Sequence, residues 1–520
     1  MMNNDIYMKR IFLQLLFGVT LLSLLSCEKF LAEEPVTEVS IDFIYTTPEG
    51  LESGVNALYN LMRNYNIPEG EGDALRSSLF FLVGTDLGLN RTWHTPYGPN
   101  HTPVAFPARK WTRGYQIIDR ANAIITNAPK VDMLDTRRNQ IIAQARMVRG
   151  ELYLDLIRMY DNILLDTIAT TPENAFDPKE YTPADPEEVF KLIDADLDFA
   201  VQHLAWNVDY GRYGRGVAHH IRGKSALWQQ KWEEASTHFD AVILDPTHDL
   251  LPREQLAQVF GQNLNHKEAL LVYVRDEITG GNDNLAGGGP TWISSVFNSR
   301  VYELSGGEMI RSTEYGGESL GWSFPNDYLR SLYDEENDLR FRTYYYPLQL
   351  IVNNPESPNF GQPLAPERYD DDYRRYHWSL KKYHDEEKRV GTLNSYKDHL
   401  FYRYAETLLL GAEAAWRTGN TTKALGYINQ VRNRAGLHGF ASFDLESYLE
   451  ESARELALEN ERWFLLKRLG ILVERVNLYY EMGSNSGNKA IYPMAPHMVR
   501  LPIPQSQIDL MGTFPQNDGY

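Results

Sequence analysis

The chain has 520 residues and one cysteine, and it carries 51 Lys and Arg against 70 Asp and Glu for a formal net charge of −19. That balance argues against nucleic acid as a partner, and a single thiol excludes an internal disulfide or a thiolate metal cluster. The length is ample for a large core, and 12 % aromatic residues supply rings either for a Tyr-rich interior or for display to flat ligands.

Lys9 and Arg10 open the chain, Ile11 to Leu25 form an apolar run, and Leu24-Leu25-Ser26-Cys27 closes it. A positive start, a stretch too short to span a bilayer comfortably and a small residue before Cys form the pattern of a bacterial lipoprotein signal. Residues 1–26 are therefore expected to be removed, with Cys27 left as a lipidated N-terminus and no free thiol for catalysis. Acyl chains stabilise membrane attachment by about 0.8 kcal/mol per buried CH₂, so two or three of them anchor almost irreversibly. No other run approaches the ~18 apolar residues of a spanning helix.

Apolar residues at steps of three and four predict helices over 48–63, 111–128, 138–160, 187–204, 216–230, 232–244, 402–417, 421–435 and 447–467. In 138–160 the stripe is Ala145, Val148, Leu152, Leu156 and Met159. Strand-like alternation is scarce, so the chain is predicted to be mainly α. Gly223, Ala235 and Phe239 share their offsets with Ala412, Ala424 and Ile428. Small residues at the first two sites let antiparallel helices approach, and the large third residue fills the groove, as in a tetratricopeptide-like pair. Thr421 is the expected N-cap of 421–435 and Gly436 its terminator.

Two stretches break this pattern. Residues 65–110 carry Pro68, Pro96, Pro99, Pro103 and Pro107 around Asn90-Arg91-Thr92-Trp93, and 247–400 are rich in Gly-Gly pairs and hold Trp292, Tyr315 and Trp322. Long irregular loops of this kind, too aromatic to be disordered, are expected to carry function on a helical scaffold.

Motifs of enzymatic chemistry are weak. Arg454, Glu455, Glu459, Glu461 and Arg462 are read as one helix of interlocking ion pairs in preference to paired catalytic carboxylates. Asp334-Glu335-Glu336-Asn337-Asp338 and Asp370-Asp371-Asp372 lack the glycine spacing of a calcium loop. His219-His220 and the pair His377/His384 do not form His-x-x-x-His or His-Glu-x-x-His, and there is no Gly-x-Ser-x-Gly or phosphate-loop motif. The sequence names no catalytic residue, metal ligand or cofactor, although two carboxylates brought together by the fold could serve a glycosidase.

An ordered series of segments runs through Cys27-Glu28-Lys29-Phe30-Leu31 with Pro35, Tyr115 to Asn122, Ala143 to Tyr153, Gly214-Arg215, and Tyr404 to Leu410 with Glu413-Ala414. It continues through Asn429 to Leu437, Arg454 to Glu459, Arg462 to Arg468 and Pro502-Ile503-Pro504 to Tyr520. Together these segments resemble the SusD/RagB family of outer-membrane nutrient-binding lipoproteins. Gly150 stands where the family more often has Ala. The resemblance implies a right-handed tetratricopeptide-like scaffold, about 40–246 and 400–470, with a variable loop-rich lobe, about 247–400, and a C-terminal family segment, 471–520, all in one mature domain, 27–520. It also implies a non-catalytic protein, lipid-anchored in the outer membrane and displayed on the cell surface, that binds oligosaccharide or polysaccharide and partners a SusC-like TonB-dependent transporter.

Trp463 and Phe464 belong to a helix pattern of that family and are expected in the core. Sugar rings stack their C–H faces on flat aromatics while Asn, Asp and Arg bind hydroxyls, which makes Trp93, Trp292, Tyr315 and Trp322 the expected stacking residues, with Asn90 and Arg91 as polar contacts. A neutral glycan is the preferred ligand, because an acidic one must be offset by Arg91, Arg311 and other loop cations against the negative overall charge. A peptide-binding member of the same architecture, a surface glycan hydrolase and a ligand-free assembly adaptor are the alternatives.

Overall fold

A computed structural model describes residues 41–67, 70, 73–91, 96–277, 289–369, 372–459, 461–480 and 492–520. The signal segment, Cys27 and Trp93 therefore lie outside the described residues. Residues 1–44 form a unit of their own, of which the described part begins a short helix, Ile41–Thr46. The second unit is Tyr45–Tyr520.

Its long helices are α1 (Pro48–Asn66), α2 (Asp73–Val83), α3 (Arg109–Asn127), α4 (Asp135–Met159), α5 (Pro186–His203), α6 (Arg215–Trp228) and α7 (Trp232–Ile243). Local chemistry starts them. Thr47 caps α1 by accepting from Gly50 N at 3.1 Å, and Asp185 caps α5 by accepting from Glu187 N at 2.9 Å, each followed by Pro at the first helical position. α3 to α7 pack each on the next in chain order, and α1 lies against α3 and α4. The chain then leaves this array to build the lobe, which contains the single-turn α8 (Ile293–Val296).

It returns as α9 (Tyr404–Arg417), packed on α7, and α10 (Thr421–Arg434), packed on α9. α11 (Leu445–Glu455), α12 (Glu461–Arg468) and α13 (Leu472–Tyr479) follow. The repeated triplets sit in two successive pairs, α6 with α7 and α9 with α10. A Cβ at Gly223 would stand 2.6 Å from the Phe239 ring, so only glycine permits this approach. Ala412, Ala424 and Ile428 are fully buried at the corresponding contact. Asn420 rather than Thr421 caps α10, accepting from Lys423 N at 3.1 Å. Gly436, at φ +89°, ends it with Leu437 N donating to Arg432 O at 3.0 Å.

Two short antiparallel sheets complete the fold. β1 (Gly88–Asn90) pairs with β3 (Ser323–Pro325), Leu89 opposite Phe324, and β2 (Ala269–Tyr273) pairs with β4 (His399–Arg403). α2 and α13 were not expected from the sequence. α2 lies in a stretch read as loop, and its Leu75, Leu79, Leu82 and Val83 enter the lobe core beside Val296, Trp322 and Tyr345. The predicted helix 402–417 begins instead as β4.

The predicted helix 447–467 is also broken. α11 stops at Glu455, Leu458 takes φ +57°, and α12 starts anew. The carbonyls that a continuous helix needs are taken by donors from elsewhere. Arg403 Nη2 and Lys382 Nζ donate to Glu455 O at 2.7 and 2.8 Å, Lys382 also reaches Ala457 O at 3.1 Å, and Tyr383 OH reaches Leu458 O at 2.7 Å. Trp463 and Phe464 are buried, as expected.

A buried charge network joins lobe and scaffold. Arg340, 0 % exposed, donates to Asp338 Oδ2 at 2.8 Å, Glu451 Oε1 at 2.8 Å and Glu455 Oε2 at 2.9 Å. Arg403 reaches Glu455 Oε1 at 2.7 Å, Glu268 Oε1 at 3.1 Å and Glu459 Oε2 at 2.8 Å, and Arg434 holds Glu268 and Glu455 as well. Burial alone would raise the Glu455 carboxyl, but Arg434, Arg403 and Arg340 hold it well below its ordinary value. The Glu455/Glu459 spacing therefore serves cross-scaffold ion pairs.

Beneath β2 and β4, Glu151 accepts from Tyr213 OH at 2.7 Å and Tyr402 OH at 2.8 Å. Burial, with Asp155 adding repulsion, pushes its carboxyl up to about 7. A raised folded value means that the folded chain binds the extra proton, so this contribution to stability is full below the ordinary value of 4.5 and is lost as pH rises through 7.

Three outcomes are expected in urea unfolding. Glu455→Ala leaves buried guanidiniums without their carboxylate and costs about 3–5 kcal/mol. Gly223→Ala costs about 1–3 kcal/mol by overpacking against Phe239. The stability difference between the native chain and Glu151→Gln changes from about pH 5 to about pH 8, the native chain losing ground as pH rises, and a pH-independent difference would contradict the Glu151 assignment.

Candidate ligand-binding site

The lobe converges on α8, a hub four residues long. Its Ser295 Oγ donates to Leu393 O at 3.0 Å, while Leu320 N donates to Ser295 O at 2.8 Å and Trp322 N to Val296 O at 3.0 Å. Just before it, Thr291 and Ser395 exchange backbone bonds at 2.9 and 3.0 Å. Lys388, almost fully buried, donates to Ser295 Oγ at 2.7 Å, Gly316 O at 2.8 Å and Glu318 O at 2.7 Å. Burial lowers its ammonium to about 8, against the attraction of Asp385 and Glu318. One lysine thus ties its own segment to α8 and to the 316–318 loop.

Trp292 stands at the start of α8, half-buried, with its indole Nε1 donating to Asn394 Oδ1 at 2.9 Å. Asn394 is a wall of an open cleft of about 560 Å³ that also includes Gln262, Arg275, Glu277, Asp385, Arg389 and Tyr396. The cleft is polar and internally balanced. Arg389 donates to both oxygens of Glu277 at 2.6 and 2.7 Å, and Asp385 accepts from Ser395 Oγ at 2.7 Å and Gln262 Nε2 at 3.2 Å. Hydrogen-bonding groups paired with one another in an open cleft can exchange those partners for ligand hydroxyls at modest cost.

Of the residues expected to form the site, Asn90, Arg91 and Trp322 are brought together. Arg91 N donates to Trp322 O at 2.8 Å, the Arg91 guanidinium lies 5.9 Å from the Trp322 ring centroid, and Asn90 Oδ1 accepts from Ser323 Oγ at 2.6 Å. The structure corrects the expected exposure of two rings. Trp322 is 5 % exposed, packed with Ile293, Val296 and Phe297, and Tyr315 is 6 % exposed, packed with Leu350 and Val352. The Tyr315 hydroxyl accepts from Ile351 N at 2.9 Å. Neither ring offers a free face, and Tyr315 is apart from the other candidates, because the lobe lacks long secondary structure and uses aromatics as its packing material. Asn90 is buried as well, 6 % exposed.

Residues 385–397 supply most of one wall and were not singled out from the sequence. Asn394 and Tyr396 are common residue types in irregular chain, and the buried Lys388 carries no pattern that separates it from a solvated lysine.

A second cleft, of about 410 Å³, lies on the scaffold between α1, α4 and the segment before α6, with Glu52, Asn56, Arg137, Gln144 and Arg212 in its walls. These groups bind one another: Arg137 Nε reaches Glu52 at 2.8 Å and Arg212 Nη2 reaches Asn56 Oδ1 at 2.6 Å.

Among the described residues no group of three or more His, Cys, Asp or Glu side chains is arranged to hold a metal ion. Asp338 is committed to Arg340, and Asp334 Oδ1 accepts from the backbone N of Glu336 and Asn337, closing a turn. His219 Nδ1 meets His238 Nδ1 at 3.0 Å, His220 Nδ1 meets Thr407 Oγ1 at 2.8 Å, and His377 and His384 turn to different partners.

Comparison with known proteins agrees with this architecture. The model of the SusD family matches residues 325–520. The SusD-like protein P25 of Formosa agariphila is 23 % identical over an alignment spanning 96 % of this chain and 97 % of that protein. Among solved structures, a laminarin binding SusD-like protein superposes with a TM-score of 0.72 at 24 % identity, covering 92 % of this chain and all of its own. Surface glycan-binding protein A from Bacteroides thetaiotaomicron, in complex with laminarihexaose, gives a TM-score of 0.72 at 21 % identity, covering 91 % and 100 %. Helix array, lobe and terminal segment all lie within these alignments, so the chain is similar to SusD-like proteins along nearly its whole length, with the SusD family pattern itself matched at 325–520.

Proposed function

We propose that this protein is a cell-surface lipoprotein that binds an oligosaccharide or polysaccharide in its lobe and passes it, uncleaved, to a SusC-like TonB-dependent transporter in the outer membrane. The observation that carries the reading is the open polar cleft of about 560 Å³ beside Trp292, whose indole is held by the cleft residue Asn394. A pinned, half-exposed ring next to amide, guanidinium and carboxylate groups suits a sugar, whose C–H face stacks while its hydroxyls bridge polar partners. The fold likeness to a laminarin binding SusD-like protein and to one in complex with laminarihexaose supports the same ligand class.

Lipidation at Cys27 supplies the anchor in this reading, with residues 27–520 as one mature domain. Among the described residues no helix is long and apolar enough to cross a membrane. Arg91 extends the binding surface in this reading, while Asn90 and Trp322 support it from beneath.

Calorimetric titration of the full chain with laminarihexaose and a panel of other oligosaccharides and peptides tests the proposal. At least one oligosaccharide is expected to bind, and Trp292→Ala to weaken that binding by about tenfold, or about 1.4 kcal/mol. No new reducing ends should appear on prolonged incubation. Turnover of a polysaccharide, binding confined to peptides, or affinity indifferent to Trp292→Ala would each overturn the corresponding part.

A further inference from the structure

The two clefts, of about 560 and 410 Å³, are joined by one ridge. Arg275 and Lys397 belong to the wall of the lobe cleft, and Val208, Asp209 and Arg212 to that of the scaffold cleft. Tyr210, inside the scaffold stretch, turns toward the lobe: its hydroxyl donates to Asp398 Oδ2 at 2.8 Å, and Asp398 Oδ1 accepts from Arg275 N at 2.7 Å. One carboxylate therefore ties a loop of the scaffold cleft to the backbone of a residue that walls the lobe cleft. Gly211, at φ +79°, brings the same loop down onto the chain just after β2, where a Cβ would stand 2.6 Å from Val274 Cγ2. From α1, Arg63 Nη1 donates to Val274 O at 2.6 Å and closes the ridge on the other side.

The top of this ridge is apolar and open. Val208, Tyr210 and Val274 are all exposed, Tyr210 by 38 %. Burial, with the Asp398 carboxylate beside it, raises the Tyr210 hydroxyl well above its ordinary value and keeps it a donor. Tyr210 with Asp398 thus repeats the arrangement of Trp292 with Asn394, a ring left partly in solvent with its polar tip tethered. Beyond the ridge, Arg212 Nη2 donates to Asn56 Oδ1 at 2.6 Å, and its guanidinium lies 4.6 Å from the Tyr59 ring centroid. The scaffold cleft, like the lobe cleft, is walled by groups that hydrogen-bond one another at the surface and can exchange those partners for ligand hydroxyls. A chain that already lies in one cleft enters the other without a second loss of translational and rotational freedom.

We propose that the lobe cleft, the Tyr210 ridge and the scaffold cleft form one extended surface for a polysaccharide chain. Tyr210, flanked by Val208 and Val274, supplies a middle stacking position, and Asn56, Asp209 and Arg212 supply polar contacts at the far end. The inference rests on the reading of the lobe cleft as a glycan site and extends it: the preferred ligand is a long chain, and a short oligosaccharide fills only part of the surface.

The test is calorimetric titration of the full chain in detergent with β-1,3-glucan, β-1,4-xylan and galacturonan fragments, each as a hexasaccharide and as a chain about twice as long. In the series that binds, the longer chain is expected to bind about tenfold or more tighter. A longer chain also has more registers on a single cleft, but that advantage is the same in every variant, so the variants decide. Tyr210→Ala is expected to weaken the longer chain by about fivefold and to leave the hexasaccharide within about twofold, whereas Trp292→Ala weakens both. Tyr210→Phe, which keeps the ring and loses the tether to Asp398, retains part of the affinity for the longer chain. Should Tyr210→Ala fail to fold, Arg212→Gln is expected to give the same length-selective loss.

Equal affinity for the two lengths in the native chain, or a loss on Tyr210→Ala that is absent or equal at both lengths, overturns the inference and leaves glycan binding by the lobe standing. Binding of none of the fragments overturns both.

Discussion

Glu455 is fully buried and accepts hydrogen bonds from Arg340, Arg403 and Arg434, which come from the lobe, from β4 and from α10. A carboxylate removed from water survives as a charge only if its partners are already in place, so the three segments must arrive together for any of them to be stable there. Asp338, Glu268, Glu451 and Glu459 complete the balance around the same arginines. The network substitutes for the sheet that the lobe lacks: specific polar pairings set the position of a region whose short helices and two-stranded ribbons could not position themselves.

The same economy appears nearer the cleft. Lys388 gathers the Ser295 hydroxyl and two carbonyls of the 316–318 loop onto one ammonium, and Lys382 takes the carbonyls that end α11. Buried lysines in these roles are expensive to desolvate, which confines them to places where several acceptors converge. Rings fill the remaining volume: Tyr345 stacks on Trp378 at 3.9 Å, and the hydroxyls of Tyr333 and Tyr345 meet at 3.0 Å. Tyrosine thus serves as packing material in irregular chain, and the Tyr333 and Tyr383 hydroxyls also donate to the carbonyls of Arg454 and Leu458.

What could be read from the sequence follows from the range of the forces involved. Helices α1, α3 to α7, α9 and α10 declare themselves by local periodicity, and the close contact of Gly223 with Phe239 by a repeated spacing. The break between α11 and α12 is set by donors from Lys382, Tyr383 and Arg403, up to 77 residues away in the chain, so no local pattern announces it. α2 was hidden for a related reason: its apolar residues face two ways, Leu75, Leu79, Leu82 and Val83 into the lobe core and Phe80 and Phe81 against Trp463 and Phe464 of α12, so no single stripe marks it. At the candidate site, Trp292 and the neighbourhood of Arg91 with Trp322 were legible as loop aromatics and cations. Burial was not, since the same composition fits a displayed ring and a supporting one, and Tyr315 is a supporting one.

The shared interior limits how such proteins can diversify. Leu75 and Leu79 of α2 and Ala453 of α11 belong to one apolar cluster with Trp322 and Tyr345 of the lobe. A transplant of residues 247–400 onto a scaffold of similar fold would therefore expose half of a cluster and strand Asp338, Arg340 and Lys382 opposite foreign side chains. New ligand preferences should arise by drift of rim residues such as those at 385–397, one loop at a time, and not by exchange of the lobe as a cassette.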